Sequence, residues 1–239
     1  MYLYGKNSVQ ERLKVHPESI HKIYVLENFR DPEIKGLIGS LQIPLAKVSE
    51  RDLLRIKRAD RLQGIVAEVD KFRYTPFDKL LNLPAKERLS FIFLDSLNDP
   101  HNLGTIIRTA ACLSGFAVVI PEHGSCEVND TVIHVASGGE NYVPVSLVTN
   151  LTTALIEAKK AGYWAAGTVT EGGEDINNVS LPFPLCLVLG SEGTGIRHGL
   201  QKHLDLKITL PMKGAQLSFN VAMACAIFCH EIAKQRENN

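Results

Sequence analysis

Apolar and polar positions along the first 72 residues switch repeatedly between helical and strand spacing. "KNSVQERLKV" has helical periodicity, "IHKIYVLE" is strand-like and "DPEIKGLIGSL" reads as a helix. "IPLAKVS" predicts a short strand, "ERDLLRIK" a short helix and "GIVAEVD" a final strand. Residues 1–72 therefore predict a small α/β unit. Residues 73–88, within "KFRYTPFDKLLNLPAKER", mix charge with two prolines and predict a linker with a short helix in its middle.

From Leu89 to residue 239 the pattern becomes a regular alternation. It predicts strands at 90–95, 116–120, 143–148, 163–169, 185–190 and 206–210, and helices at 103–114, 130–137, 151–161 and 218–235. Gly115 and Gly162 stand where helices should end, Asn129 and Asn150 where they should begin. "LCLVLG" and "FAVVI" have no polar face, as expected of strands covered on both sides. The fold class is α/β, with a mostly parallel sheet flanked by helices. Ligands of such sheets bind beyond the carboxyl ends of the strands.

Composition adds limits. Apolar residues make up 45% and charged residues 22%, enough for an ordinary soluble core. Lys and Arg together number 26, as do Asp and Glu, so net charge gives no reason to expect nucleic acid. A local patch does: Arg51, Arg55, Lys57, Arg58 and Arg61 crowd one short stretch. The five cysteines, Cys112, Cys126, Cys186, Cys225 and Cys229, show no CxxC pair, which suggests buried thiols in a reducing compartment and no metal. No apolar run approaches the roughly 20 residues that span a membrane. The amino terminus lacks a signal-peptide pattern. A cytoplasmic protein is expected.

Three loops leave strand ends with unusual residues. In "DPHNLGTIIRTA", Asn102 suits a helix N-cap. Arg108 lies off the stripe of Ile106, Ile107, Ala110 and Ala111, and alone it reads as a solvated charge. In "LVLGSEGTGIRHG" an apolar strand runs into Gly190, Ser191, Glu192, Gly193, Thr194 and Gly195. This turn has neither the Walker lysine nor a G-x-G-x-x-G order, and its carboxylate would repel phosphate. It suits a ligand of little phosphate charge, or Glu192 anchors an arginine; a plain tight turn is the alternative. In "ITLPMKGAQLSFNVAMACAIFCHEIA", Ser218 is a natural N-cap. Asn220, among Phe219, Val221 and Ala222, needs polar partners. Ala222, Ala224 and Ala226 permit close helix packing, including against a second subunit.

Taken together, the loops resemble the three motifs of the SpoU-type RNA 2′-O-ribose methyltransferases of the SPOUT superfamily. "NLGTIIR" resembles the N-x-G-x-x-x-R motif, "LVLGSEGTG" the second motif with its Gly-x-Glu-Gly turn, and "LPMKGAQLSFNVAMA" the third, where Phe219 replaces the usual Leu. The resemblance covers about residues 89–239. Residues 1–72, opening "YGKNSVQERL" and closing "LQGIVAEV", resemble the RNA-binding domain of the family's ribosomal branch.

The resemblance implies a deep trefoil knot, a rarity among proteins. It implies S-adenosylmethionine bound at Gly190, Leu210 and Phe219, with Leu189, Met212 and Thr168 beside them. It implies a homodimer through the C-terminal helix and a ribosomal RNA partner, with no metal and no membrane. Arg108, Asn102, Glu192, Ser218 and Asn220 would serve transfer of a methyl group to a ribose 2′-hydroxyl, most in keeping with a guanosine of large-subunit ribosomal RNA. Arg108 would activate the hydroxyl. Guanidinium stays protonated, so stabilising the forming alkoxide is the easier role. A transfer RNA ribose methyltransferase, a resistance-type ribosomal enzyme and a catalytically silent RNA-binding assembly protein are the alternatives. A generic nucleotide-binding enzyme is disfavoured by the missing phosphate loop.

Overall fold

The computed structural model describes residues 1–191, 193–215 and 217–237. The amino-terminal unit holds α1 (Lys6–Val15), α2 (Pro32–Ser40) and α3 (Glu50–Ile56) around β1 (Tyr2–Tyr4), β2 (Ile20–Leu26), β3 (Leu45–Val48) and β4 (Ile65–Val69). Asp31 caps α2 by accepting from the Ile34 amide at 3.2 Å, and Pro32 opens the helix. The sheet order is β1-β4-β2-β3, parallel only between β2 and β3. Strand β1, three residues long, was not predicted from sequence.

A short helix, α4 (Phe77–Leu81), crosses to the second sheet. There β5 (Ser90–Leu94), α5 (Pro100–Leu113), β6 (Phe116–Pro121), α6 (Asp130–Ala136), β7 (Val145–Val148), α7 (Leu151–Lys160) and β8 (Trp164–Thr168) follow in turn. Then come β9 (Glu174–Asp175), β10 (Leu185–Leu189), α8 (His198–Gln201), β11 (Leu206–Thr209) and α9 (Val221–Glu237). The order is β7-β6-β5-β10-β8-β11-β9, and every pairing is parallel.

Alternation along the strands splits the core in two. Ile92, Leu94, Val118 and Leu187 face α5, α6 and α9, whose Ile106, Val132 and Phe228 join the same cluster. Phe91, Phe93, Val119 and Val188 face the opposite way, toward Leu155 and Ala158 of α7. Both faces are buried, as the unbroken apolar runs require.

Two predicted helix starts need correction. Helix α5 begins at Pro100, and Asp99 caps it through the His101 amide at 2.8 Å; Asn102 lies inside the first turn. Helix α9 begins at Val221, so Ser218 is not its cap. Asn220 is: its Oδ1 accepts from the amides of Ala222 at 2.9 Å and Met223 at 3.4 Å. Asn129 and Asn150 cap α6 and α7 as predicted. Gly162 follows α7 at φ +93° and Gly115 follows α5 at φ +70°.

The small unit docks on α6 and the turn after it. Tyr4 stacks on His134 with centroids 4.1 Å apart, and His134 Nδ1 lies 2.9 Å from the Tyr4 carbonyl oxygen. Lys57 bridges to Asp130, and Arg12 reaches Glu140 at 3.3 Å. Burial outweighs the Arg12 guanidinium and raises the Glu140 carboxyl above its ordinary 4.5.

Candidate active site

Strands β8, β10 and β11 end at one cavity of about 500 Å³, closed on the far side by the start of α9. Sheet order reverses between β5 and β10, next to this cavity, which is where open parallel sheets bind ligands. The volume lies in the range of small-molecule sites, about 300–1,000 Å³. Thr168, Leu189, Gly190, Leu210, Met212 and Phe219, the residues the motifs assigned to a cofactor, all line it, and so does Ser218.

The glycine-rich turn folds back on itself. Ser191 and Gly195 exchange backbone hydrogen bonds of 3.2 and 3.0 Å, and the Ser191 and Thr194 hydroxyls meet at 2.8 Å. Gly195 takes φ +66°. A Cβ on Gly190 would collide with the backbone of Gly195 and Ile196. The missing side chain at Gly190 thus serves the loop's own closure, and the resulting backbone forms one cavity wall.

A carboxylate fixes this turn from below. Asp95, at the end of β5, is 1% exposed. It accepts from Arg197 Nε at 2.6 Å and from the Arg197 amide at 2.8 Å. This charge-assisted pair ties the end of β5 to the far end of the turn. The sequence reading passed over both residues. The available signal was a carboxylate closing the apolar run "LSFIFLD", which must be paired if buried. Glu192, the arginine anchor that the motif suggests, lies outside the described residues.

Asn102 is buried, and its Oδ1 accepts from Asn220 Nδ2 at 3.1 Å. The first and third motifs therefore meet through paired amides. Arg108 sits elsewhere. It is exposed and lines a second depression of about 530 Å³ with Thr105 and Cys112 of α5 and Ala226 and His230 of α9. Behind it, a Cβ on Gly139 would stand 3.0 Å from the Arg108 Cα, so the turn after α6 presses on the Arg108 backbone. Within one chain Ser218 reaches the cavity, Asn102 and Asn220 reach each other, and Arg108 lines neither place.

Of the basic cluster, Arg51, Arg55, Arg58 and Arg61 are exposed, and Arg55 leans on Asp52 at 3.3 Å. Lys57 is engaged by Asp130 and lies 5.4 Å from the Tyr4 ring centre, so its charge is committed inside the molecule. Among the described residues no group of three or more His, Cys, Asp or Glu could hold a metal, and no helix is long and apolar enough to cross a membrane. Cys225 and Cys229 are buried with sulfurs 3.7 Å apart; their hydrogen bond and burial raise the Cys225 thiol well above its ordinary value.

Residues 90–230 match the SpoU rRNA methylase family, and residues 2–75 match the RNA 2′-O ribose methyltransferase substrate-binding family. The chain belongs to the SpoU rRNA methylase family. It is 34% identical over 238 residues to the 23S rRNA (guanosine-2′-O-)-methyltransferase RlmB of Nitrosomonas europaea, covering 98% of this chain and 91% of that one. It is also 34% identical over 239 residues to RlmB of Neisseria meningitidis serogroup B, covering 98% and 95%. Among solved structures it shares the fold of the SpoU methyltransferase AviRb from Streptomyces viridochromogenes in complex with AdoMet. The TM-score is 0.82 at 20% identity, over 100% of this chain and 91% of that one.

Proposed function

We propose that this protein transfers a methyl group from S-adenosylmethionine to the ribose 2′-hydroxyl of a guanosine in 23S ribosomal RNA. The observation that carries the reading is the cavity at the ends of β8, β10 and β11, walled by the second and third motifs in a chain similar over nearly its whole length to enzymes of that name. Its described lining includes no Lys, Arg or His, which suits a donor of net positive charge and not a nucleotide polyphosphate. When bound, S-adenosylmethionine supplies a methyl group on a sulfonium that leaves as a neutral thioether.

The chain's own residues then position the groups and steady the developing charge. Arg108 stabilises the alkoxide that forms as the 2′-hydroxyl loses its proton. Ser218 orients the hydroxyl at the cavity mouth. The Asn102–Asn220 pair holds α9 against α5. In-line placement supplies much of the rate.

Arg108 and the cavity line separate depressions, and α9 carries exposed Met223 and Ile227 beside Arg108's helix. These features support a homodimer through α9 that carries Arg108 of one chain to the cavity of the other. We read residues 1–72 as the RNA-binding domain, 73–88 as the linker and 89–239 as the catalytic domain with the family's trefoil knot. Arg51, Arg55, Arg58 and Arg61 meet RNA phosphates, so binding weakens with salt.

Mapping ribose methylation in total RNA from a deletion strain tests the substrate. Loss of one mark in 23S RNA is expected. A lost transfer RNA mark would favour the sibling activity, and no lost mark a silent RNA-binding protein. Arg108→Ala should abolish methyl transfer while calorimetry still detects S-adenosylmethionine; an active variant would sink the role given to Arg108.

A further inference from the structure

Among the described residues lining the cavity, Glu171 alone is ionisable. It stands on the loop after β8, three residues past Thr168, and is exposed. No described partner engages it: neither a hydrogen bond nor an ion pair reaches its carboxylate. The other polar groups in the lining are neutral, the hydroxyls of Thr168, Thr170, Ser191 and Thr194 among them. Hydroxyl and backbone groups that could hydrogen-bond a ribose are therefore plentiful. Fixed charge has one described source.

We propose that Glu171 is the residue by which this protein tells the charged methyl donor from its demethylated product. The inference rests on the cofactor reading above. Donor and product share the adenosine and the amino-acid end and differ by one methyl group and one positive charge. In the transfer, the ribose oxygen–carbon bond forms as the carbon–sulfur bond breaks. The sulfur keeps the bonding pair and becomes a neutral thioether, and the 2′-hydroxyl proton goes to solvent. The site therefore loses one unit of positive charge at turnover. A carboxylate at the cavity wall attracts the ligand before that step more than after it. No described cation in the lining offsets it. Glu171 thus favours loading of the donor and release of the product. A carboxylate that merely held the ribose hydroxyls would bind both ligands alike.

Calorimetry with S-adenosylmethionine and with S-adenosylhomocysteine separates these roles. Glu171 is exposed, so the expected effect is modest. In Glu171→Gln, donor affinity should fall about two- to fivefold while product affinity changes little. Glu171→Asp, which keeps the charge, should retain most of the preference. Raising ionic strength should erode the preference of the wild type and leave Glu171→Gln unaffected. Equal losses for both ligands, or no loss for either, would overturn the proposal while leaving the cofactor reading intact. A wild-type protein that binds neither ligand would overturn both.

Discussion

Val132 and Val135 decide why the first motif carries a glycine. A Cβ on Gly104 would stand 2.7 Å from the Val132 carbonyl oxygen and 2.7 Å from the Val135 Cβ, so α5 can lie this close to α6 only without a side chain there. Gly104→Ala should cost about 1–3 kcal/mol by overpacking, read as a lower urea midpoint. Gly190→Ala acts locally instead. It meets backbone, which cannot rotate away, so the turn must open and S-adenosylmethionine binding should weaken in calorimetry. The glycines were legible as a pattern. Their reasons were not, because each is a close approach that a linear reading cannot see. Glu140 offers a test by pH. Its carboxyl is raised by burial, so between 4.5 and its raised value the folded state holds more protons than the unfolded one. Stability from this group therefore falls as pH rises through that window. Asp31 and Glu231, both lowered, act in the opposite sense. Comparing urea midpoints of wild type and Glu140→Gln across that range should show a shallower decline in the variant.

The elements themselves were largely readable. Apolar periodicity placed every strand of the parallel sheet except the two-residue β9, most plainly β5, β6 and β10, which are buried along their whole length. Asn129 and Asn150 cap α6 and α7 as the sequence predicts. At α5 and α9 the caps lie elsewhere than the sequence suggests. Asp99 won over Asn102 because Pro100 fits the first helical position, and Asn102 is drawn inward to a partner 118 residues further on. Asn220 displaces Ser218 because it stands directly before Val221, where its Oδ1 accepts from the Ala222 and Met223 amides while its Nδ2 donates to Asn102. Asn220→Ala removes a cap and one half of an amide pair whose other member, Asn102, is buried, so it should cost about 1 kcal/mol or more in chemical denaturation. Methyl transfer should drop further than the stability loss explains, since the first and third motifs lose their link.

For the whole molecule, periodicity predicted a parallel sheet but not its order. Nothing in local pattern says that β10 lies between β5 and β8, or that Asp95 and Arg197 close that seam. Nor did it reveal that Lys57, Arg12 and Tyr4 lock the small unit onto α6 and its following turn. The association proposed through α9 makes its own prediction. Ile227→Asp should lower the mass measured by light scattering from dimer to monomer and reduce methyl transfer sharply, while circular dichroism stays unchanged. A variant that remains dimeric would place the contact elsewhere.

The position of β10 also imposes a timetable. As the chain emerges from synthesis, β5, β6 and β7 can pair early, yet the inner edge of β5 waits from Leu94 until Leu185 for its neighbour. An open apolar strand edge invites pairing with other chains, and parallel pairings of such separation form slowly. The cavity cannot close until β11 and α9 have also arrived. A chain cut before Leu185 thus lacks β10, β11 and α9, and with them most of the cavity wall, so roughly the last quarter of the polypeptide completes the place that holds a donor.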